Sequence, residues 1–111
     1  MSKEMIEIEV GEQTYKLGFP TRNDAVKAED NGLVLTEIEN KPIKVSEKLF
    51  YTGLLAKQPT ITEEEAKKIL EQYLEEGGEI GEINNFLIKQ YVGLQQSQNG
   101  KKKKKAKIIK I

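Results

Sequence analysis

The sequence predicts an α+β fold that is mostly α: an N-terminal β-hairpin, about four short helices, and a disordered basic C-terminal tail. Three observations carry this expectation. Met5-Ile6-Glu7-Ile8-Glu9-Val10 alternates apolar and acidic residues, the period of a half-buried strand. Beyond Thr21, apolar residues recur at helical spacings between capping residues and Gly or Pro stops. The charges are also segregated along the chain. Residues 1–100 hold 11 Lys or Arg against 18 Asp or Glu, a net of −7, whereas residues 101–111 hold seven Lys and no acid. A block of like charge repels itself and resists packing. The expected organisation is one small acidic domain over 1–96 and a flexible Lys-rich tail over 97–111.

Each element follows from local signals. Gly11-Glu12-Gln13 turns the chain, and Tyr15, Leu17 and Phe19 resume the alternation, which completes a hairpin. A lone hairpin is marginal in water and needs something to pack on. Thr21 caps the first helix, with Asp24 placed to complete a capping box. That helix should span about 22–31, turn Ala25, Val26 and Ala28 towards the core, and stop at Asn31-Gly32. Leu33-Val34-Leu35 and Ile38 then recross the core as an irregular or short helical connection.

Pro42 suits a first helical position. The second helix, about 43–57, carries Val45, Leu49, Phe50, Gly53 and Leu54 on one face and ends at Gln58-Pro59. Thr62 and Glu65 form another capping box, with Glu63, Glu64 and Glu65 at the positive end of the helix dipole. The third helix aligns Ala66, Ile69, Leu70, Tyr73 and Leu74 and ends at Gly77-Gly78. The fourth, about 79–95, places Ile80, Ile83, Leu87, Tyr91 and Leu94 on one amphipathic stripe.

Composition removes most catalytic chemistry. The chain has no cysteine, hence no disulfide, thiol nucleophile or thiolate metal site, and no histidine, the commonest general base. Glu63-Glu64-Glu65 and Glu75-Glu76 have the right residue type for a hard cation, but adjacent helical residues diverge around the axis. Gly77-Gly78-Glu79-Ile80-Gly81 lacks the preceding strand and the Lys-Ser/Thr of a phosphate loop, and reads as a turn between helices. Ser2, Ser46 and Ser97 have no base to activate them, and Tyr15, Tyr51, Tyr73 and Tyr91 fall mainly on core stripes. The expectation is a protein that is not an enzyme, with no catalytic residue, metal or cofactor. There is no apolar run of 18 residues, so no membrane partner is expected. Met1-Ser2-Lys3-Glu4 lacks the apolar stretch of a secretory signal, so a cytoplasmic location is expected.

The tail admits two readings. Lys101, Lys102, Lys103, Lys104 and Lys105 could neutralise phosphates in a salt-sensitive, sequence-blind way. Interleaved Arg, Gly or aromatic residues are missing, so nucleic acid is not the favoured partner. Ile108-Ile109-Lys110-Ile111 is an apolar end that could add a short strand to a sheet edge.

A succession of segments stands out: Tyr15-Lys16-Leu17-Gly18-Phe19-Pro20-Thr21-Arg22, then Ala25-Val26-Lys27-Ala28-Glu29-Asp30-Asn31-Gly32-Leu33. It continues through Glu37, Asn40-Lys41-Pro42, Leu49-Phe50-Tyr51-Thr52-Gly53-Leu54-Leu55 and Pro59. In these segments and in the order of elements, over roughly residues 5–74, the chain resembles the tail assembly chaperones of long-tailed (siphovirus-type) phages of Gram-positive bacteria. The resemblance implies a non-enzymatic protein of the host bacterial cytoplasm that coats the long helical tape-measure protein, keeps it soluble, and is absent from the mature virion. It also implies a longer form, made by a ribosomal frameshift, that recruits the tail-tube protein. A slippery A-rich run encoding Lys101–Lys105 would account for the lysines, and the longer product would lose Ala106–Ile111.

A groove for a partner helix would draw on apolar residues that a small core cannot cover. Leu49, Phe50, Leu54, Tyr91 and Leu94 are the candidate partner contacts. Self-association is left open. A small nucleic-acid-associated protein using the Lys-rich tail is the alternative function, and a structural subunit of a phage particle is a third.

Overall fold

A strand pair opens the computed structural model, which describes residues 5–96. β1 (Ile6–Val10) and β2 (Gln13–Leu17) pair antiparallel, with Ile6 opposite Leu17, Ile8 opposite Tyr15 and Val10 opposite Gln13. The turn is two residues long, not three, because Gln13 already pairs with Val10. Gly11 takes φ +62° at its first central position, as the primed turns that match strand twist demand. Alternation sends Ile8, Val10 and Leu17 into the core and leaves Glu7, Glu9, Thr14 and Lys16 in solvent.

α1 (Arg22–Asp30) starts at the anticipated capping box: the Thr21 side chain accepts from the Asp24 N–H, and the Asp24 carboxylate accepts from the Thr21 N–H. It ends when the Leu33 N–H reaches back to the Ala28 carbonyl at 3.0 Å and Gly32 bonds Glu29 at 3.1 Å. Ala25 and Ala28 are buried, but Val26 is 46% exposed, contrary to expectation. The face of α1 turned to the core is that of two alanines three residues apart, and Val26 lies off it.

A 3₁₀ turn, Leu35–Glu37, leads into α2 (Pro42–Leu54), which begins on proline. Regular helix stops at Leu54, and the chain continues in turns to Lys57, where the Gln58 N–H closes on the Leu54 carbonyl at 2.9 Å. α2 is the central element and packs on α1, α3, α4 and β2. Being surrounded explains why its apolar face is enclosed: Leu49, Phe50 and Leu54 have 0–1% exposure. Each such side chain contributes about 1.5–3 kcal/mol of transfer free energy.

α3 (Glu63–Glu75) repeats the capping box with Thr62 and Glu65. Ala66 and Leu70 are buried, Ile69 and Tyr73 half-buried, and Leu74 is 43% exposed at the end of the stripe. The Gly77-Gly78 turn closes α3 with Gly78 bonded to the Tyr73 carbonyl at 2.9 Å and Gly77 at φ +93°. α4 (Ile80–Gln96) then lays Ile83, Leu87 and Tyr91 against α2 and α1. The fold is α+β and mostly α. The 97–111 segment, with Lys101–Lys105 and the Ile108–Ile111 end, lies outside the described residues.

Candidate functional site

Four of the five candidate contacts are core. Leu49 and Leu54 are 0% exposed, Phe50 1% and Tyr91 3%, so none presents a surface to a partner. They are enclosed because α2 is covered on several sides and α4 folds back over it. Leu94, one helical turn beyond Tyr91, is half-buried and does reach the surface.

Leu94 belongs to a seam between α1 and the end of α4. The Arg22 guanidinium donates to the Leu94 carbonyl at 2.7 Å, satisfying an acceptor that the helix end leaves open. The Tyr91 hydroxyl donates to Glu29 Oε2 at 2.6 Å, and the Phe19 N–H donates to Gln90 Oε1. The Phe19 and Tyr91 rings meet edge to face at 5.8 Å. Burial, foremost, with the Glu29 hydrogen bond and charge, pushes the Tyr91 phenol up to about 12. Arg22, Val26 and Glu29 share one helical face at spacings of four and three. Arg22 and Glu29 both reach α4, and Val26, between them on that face, is exposed. Val26 and Leu94 are thus accessible apolar side chains on neighbouring helices.

A second feature is an open cleft of about 690 Å³ between β2, the α2–α3 loop and α3. Tyr15, Pro59, Ile61 and Ile69 form its apolar lining, with Lys57, Lys68 and Glu65 among its polar groups. A smaller depression, lined by Glu7, Thr14, Tyr15, Lys16, Lys57 and Gln58, adjoins it along β2. Periodicity placed Tyr15 on the inner face of the hairpin. No sequence signal showed that the loop after α2 would leave this face uncovered.

The acidic runs have structural partners. Glu63 pairs with Lys48 at 2.6 Å, and Glu65 accepts the Thr62 N–H at 3.0 Å. Glu76 accepts the Gly11 N–H and the Gln72 amide, each at 2.9 Å, which ties the hairpin turn to the end of α3. The Gly11 N–H, foremost, and Gln72 hold the Glu76 carboxyl below its ordinary value. Among the described residues no group of acidic side chains is arranged to hold a metal ion, and no helix is long and apolar enough to cross a membrane.

The family model described as "Domain of unknown function (DUF5055)" matches residues 1–109, and the chain belongs to that family. Comparison with curated proteins and with solved structures returned no match.

Proposed function

We propose that this DUF5055 protein is a non-enzymatic phage tail assembly chaperone that binds the tape-measure protein in the host cytoplasm, holds it soluble until the tube forms, and leaves before the virion is complete. The observation that carries the reading is the likeness over roughly residues 5–74, whose quoted segments, between Tyr15 and Pro59, fall mainly in β2, α1 and α2, one contiguous block around the central helix. A long helical partner displays apolar stripes that aggregate unless covered. The α1–α4 seam offers Val26 and Leu94 for that purpose. Many weak, displaceable contacts along one chain gain from effective concentration. A frameshifted longer form would supply the link to the tail-tube protein.

The test is co-expression with the tape-measure protein, followed by sizing. Wild-type chain should bring the long protein into the soluble fraction in a multi-copy complex. The Val26→Glu/Leu94→Glu double variant should stay folded by circular dichroism and leave the long protein in the pellet. A tape-measure protein that remains insoluble with the wild-type chain sinks this reading. Salt-sensitive binding to DNA or RNA, lost on removing residues 101–111, would then favour the lysine-tail alternative.

A further inference from the structure

We propose that the free edge of β2, together with the basic cleft beside it, binds an extended segment of a partner protein in which apolar and acidic residues alternate. The surface is separate from the α1–α4 seam, and the inference goes beyond the chaperone reading.

Hairpin register decides which backbone groups are available. In a two-residue hairpin the pair flanking the turn exchanges hydrogen bonds, and every second pair does the same. Val10 with Gln13, Ile8 with Tyr15 and Ile6 with Leu17 are those pairs. The N–H and C=O groups of Thr14 and Lys16 therefore point away from β1. The next N–H in that outward series, on Gly18, is taken by the Gly53 carbonyl at 3.0 Å. Among the described residues nothing takes the groups of Thr14 and Lys16, and the sheet has two strands only. An unpaired edge of this kind is a template for another strand.

The walls beside that edge specify what would dock. Thr14, Tyr15 and Lys16 all line one depression with Lys57 and Gln58. Consecutive strand residues point to opposite faces, so a depression that all three line reaches the β2 edge, and Glu7, opposite Lys16 on β1, extends it over the outer face of the hairpin. Tyr15 also lines the larger cleft, where Pro59, Ile61 and Ile69 supply apolar surface.

Three lysines stand over the two depressions, Lys16, Lys57 and Lys68, all exposed. Among the described residues none of them is in an ion pair. Against them stand two glutamates, Glu65, which also accepts the Thr62 N–H, and Glu7, opposite Lys16 on β1, so the lining keeps an excess of one positive charge. Residues 5–96 carry ten Lys or Arg against seventeen Asp or Glu, so the cleft is basic on an otherwise acidic body.

The occupant's chemistry follows by elimination. The chain's own tail has seven lysines over 101–111 and would be repelled. A second copy's β1 has the required alternation, but Ile8 and Val10 are 7% and 4% exposed in their own core. A nucleic acid strand would answer the lysines, yet it lacks the peptide N–H that the outward carbonyls of Thr14 and Lys16 call for. A separate polypeptide, extended and alternating, satisfies edge, lining and charge together.

The probe is a fluorescently labelled short peptide alternating Val and Glu, titrated with the full chain and read by anisotropy. Binding is expected, and N-methylation of alternate peptide amides should abolish it without changing peptide charge. Lys57→Glu/Lys68→Glu should weaken binding about tenfold or more. Thr14→Pro removes one outward N–H and leaves the ladder to β1 intact, so it should weaken binding while circular dichroism shows the fold unchanged. Val26→Glu/Leu94→Glu should bind the peptide as the wild type does, which separates this inference from the chaperone reading. Equal binding of the N-methylated and parent peptides would reduce the effect to charge attraction and overturn strand addition. Failure of the parent peptide to bind, or oligo-dT binding in its place with the same sensitivity to the two lysine substitutions, would overturn it too.

Discussion

Phe50→Ala distinguishes a core side chain from a contact side chain on the same helix. Phe50 is 1% exposed and sits between Leu49 and Leu54, both at 0%, on the face of α2 that α3, α4 and β2 surround. Truncation removes a ring from a site that cannot collapse easily, which costs about 3–5 kcal/mol. A small domain has about 5–15 kcal/mol of stability in total, so a fifth of it or more would be lost. With about 4–8 °C of melting temperature per kcal/mol at this size, a loss of about 4 kcal/mol lowers Tm by roughly 15–30 °C. Far-UV circular dichroism during urea and thermal denaturation measures this, and an unchanged urea slope would place the effect on stability rather than on the unfolded chain. A variant within about 0.5 kcal/mol of wild type would refute the enclosed-core argument. If that stable variant also failed to solubilise the tape-measure protein, Phe50 would have to swing out to meet a partner.

Two further outcomes test the local physics. Absorbance titration should show one tyrosine ionising near pH 12, and Tyr91→Phe should remove that late step. Because the folded-state value is raised above the unfolded value of about 10, Tyr91 contributes fully to stability below pH 10 and loses that contribution as pH rises through about 12. Gly53→Ala sets a helix-propensity gain of up to about 1 kcal/mol against overpacking of about 1–3 kcal/mol. The new methyl would meet both δ-carbons of Leu87 at 3.2 Å and the Leu17 Cβ at 3.4 Å. Leu17 and Leu87 are both 0% exposed, so crowding should win, and denaturant melts should show a net loss of about 1 kcal/mol.

The contrast between what was legible in the sequence and what was not follows interaction range. The capping boxes at Thr21–Asp24 and Thr62–Glu65, proline at the start of α2 and the alternation of β1 are settled within a few residues, and each lies where the pattern put it. Which apolar side chains stay accessible depends instead on how α4 returns over α2. Size on an amphipathic face therefore pointed to Leu49, Phe50 and Leu54, whereas the exposed apolar side chain of α1 is Val26. The cleft lies further from the reach of pattern. Its lysines come from positions 16, 57 and 68, on a strand, a loop and a helix, and each taken alone is an ordinary surface residue. Charge counted along the chain gives an acidic body and a basic tail, which directs attention to residues 101–105. Folding adds the three lysines together beside an unpaired strand edge. Within the body, the lysine-lined cleft is thus a product of tertiary structure, with no local signal to announce it.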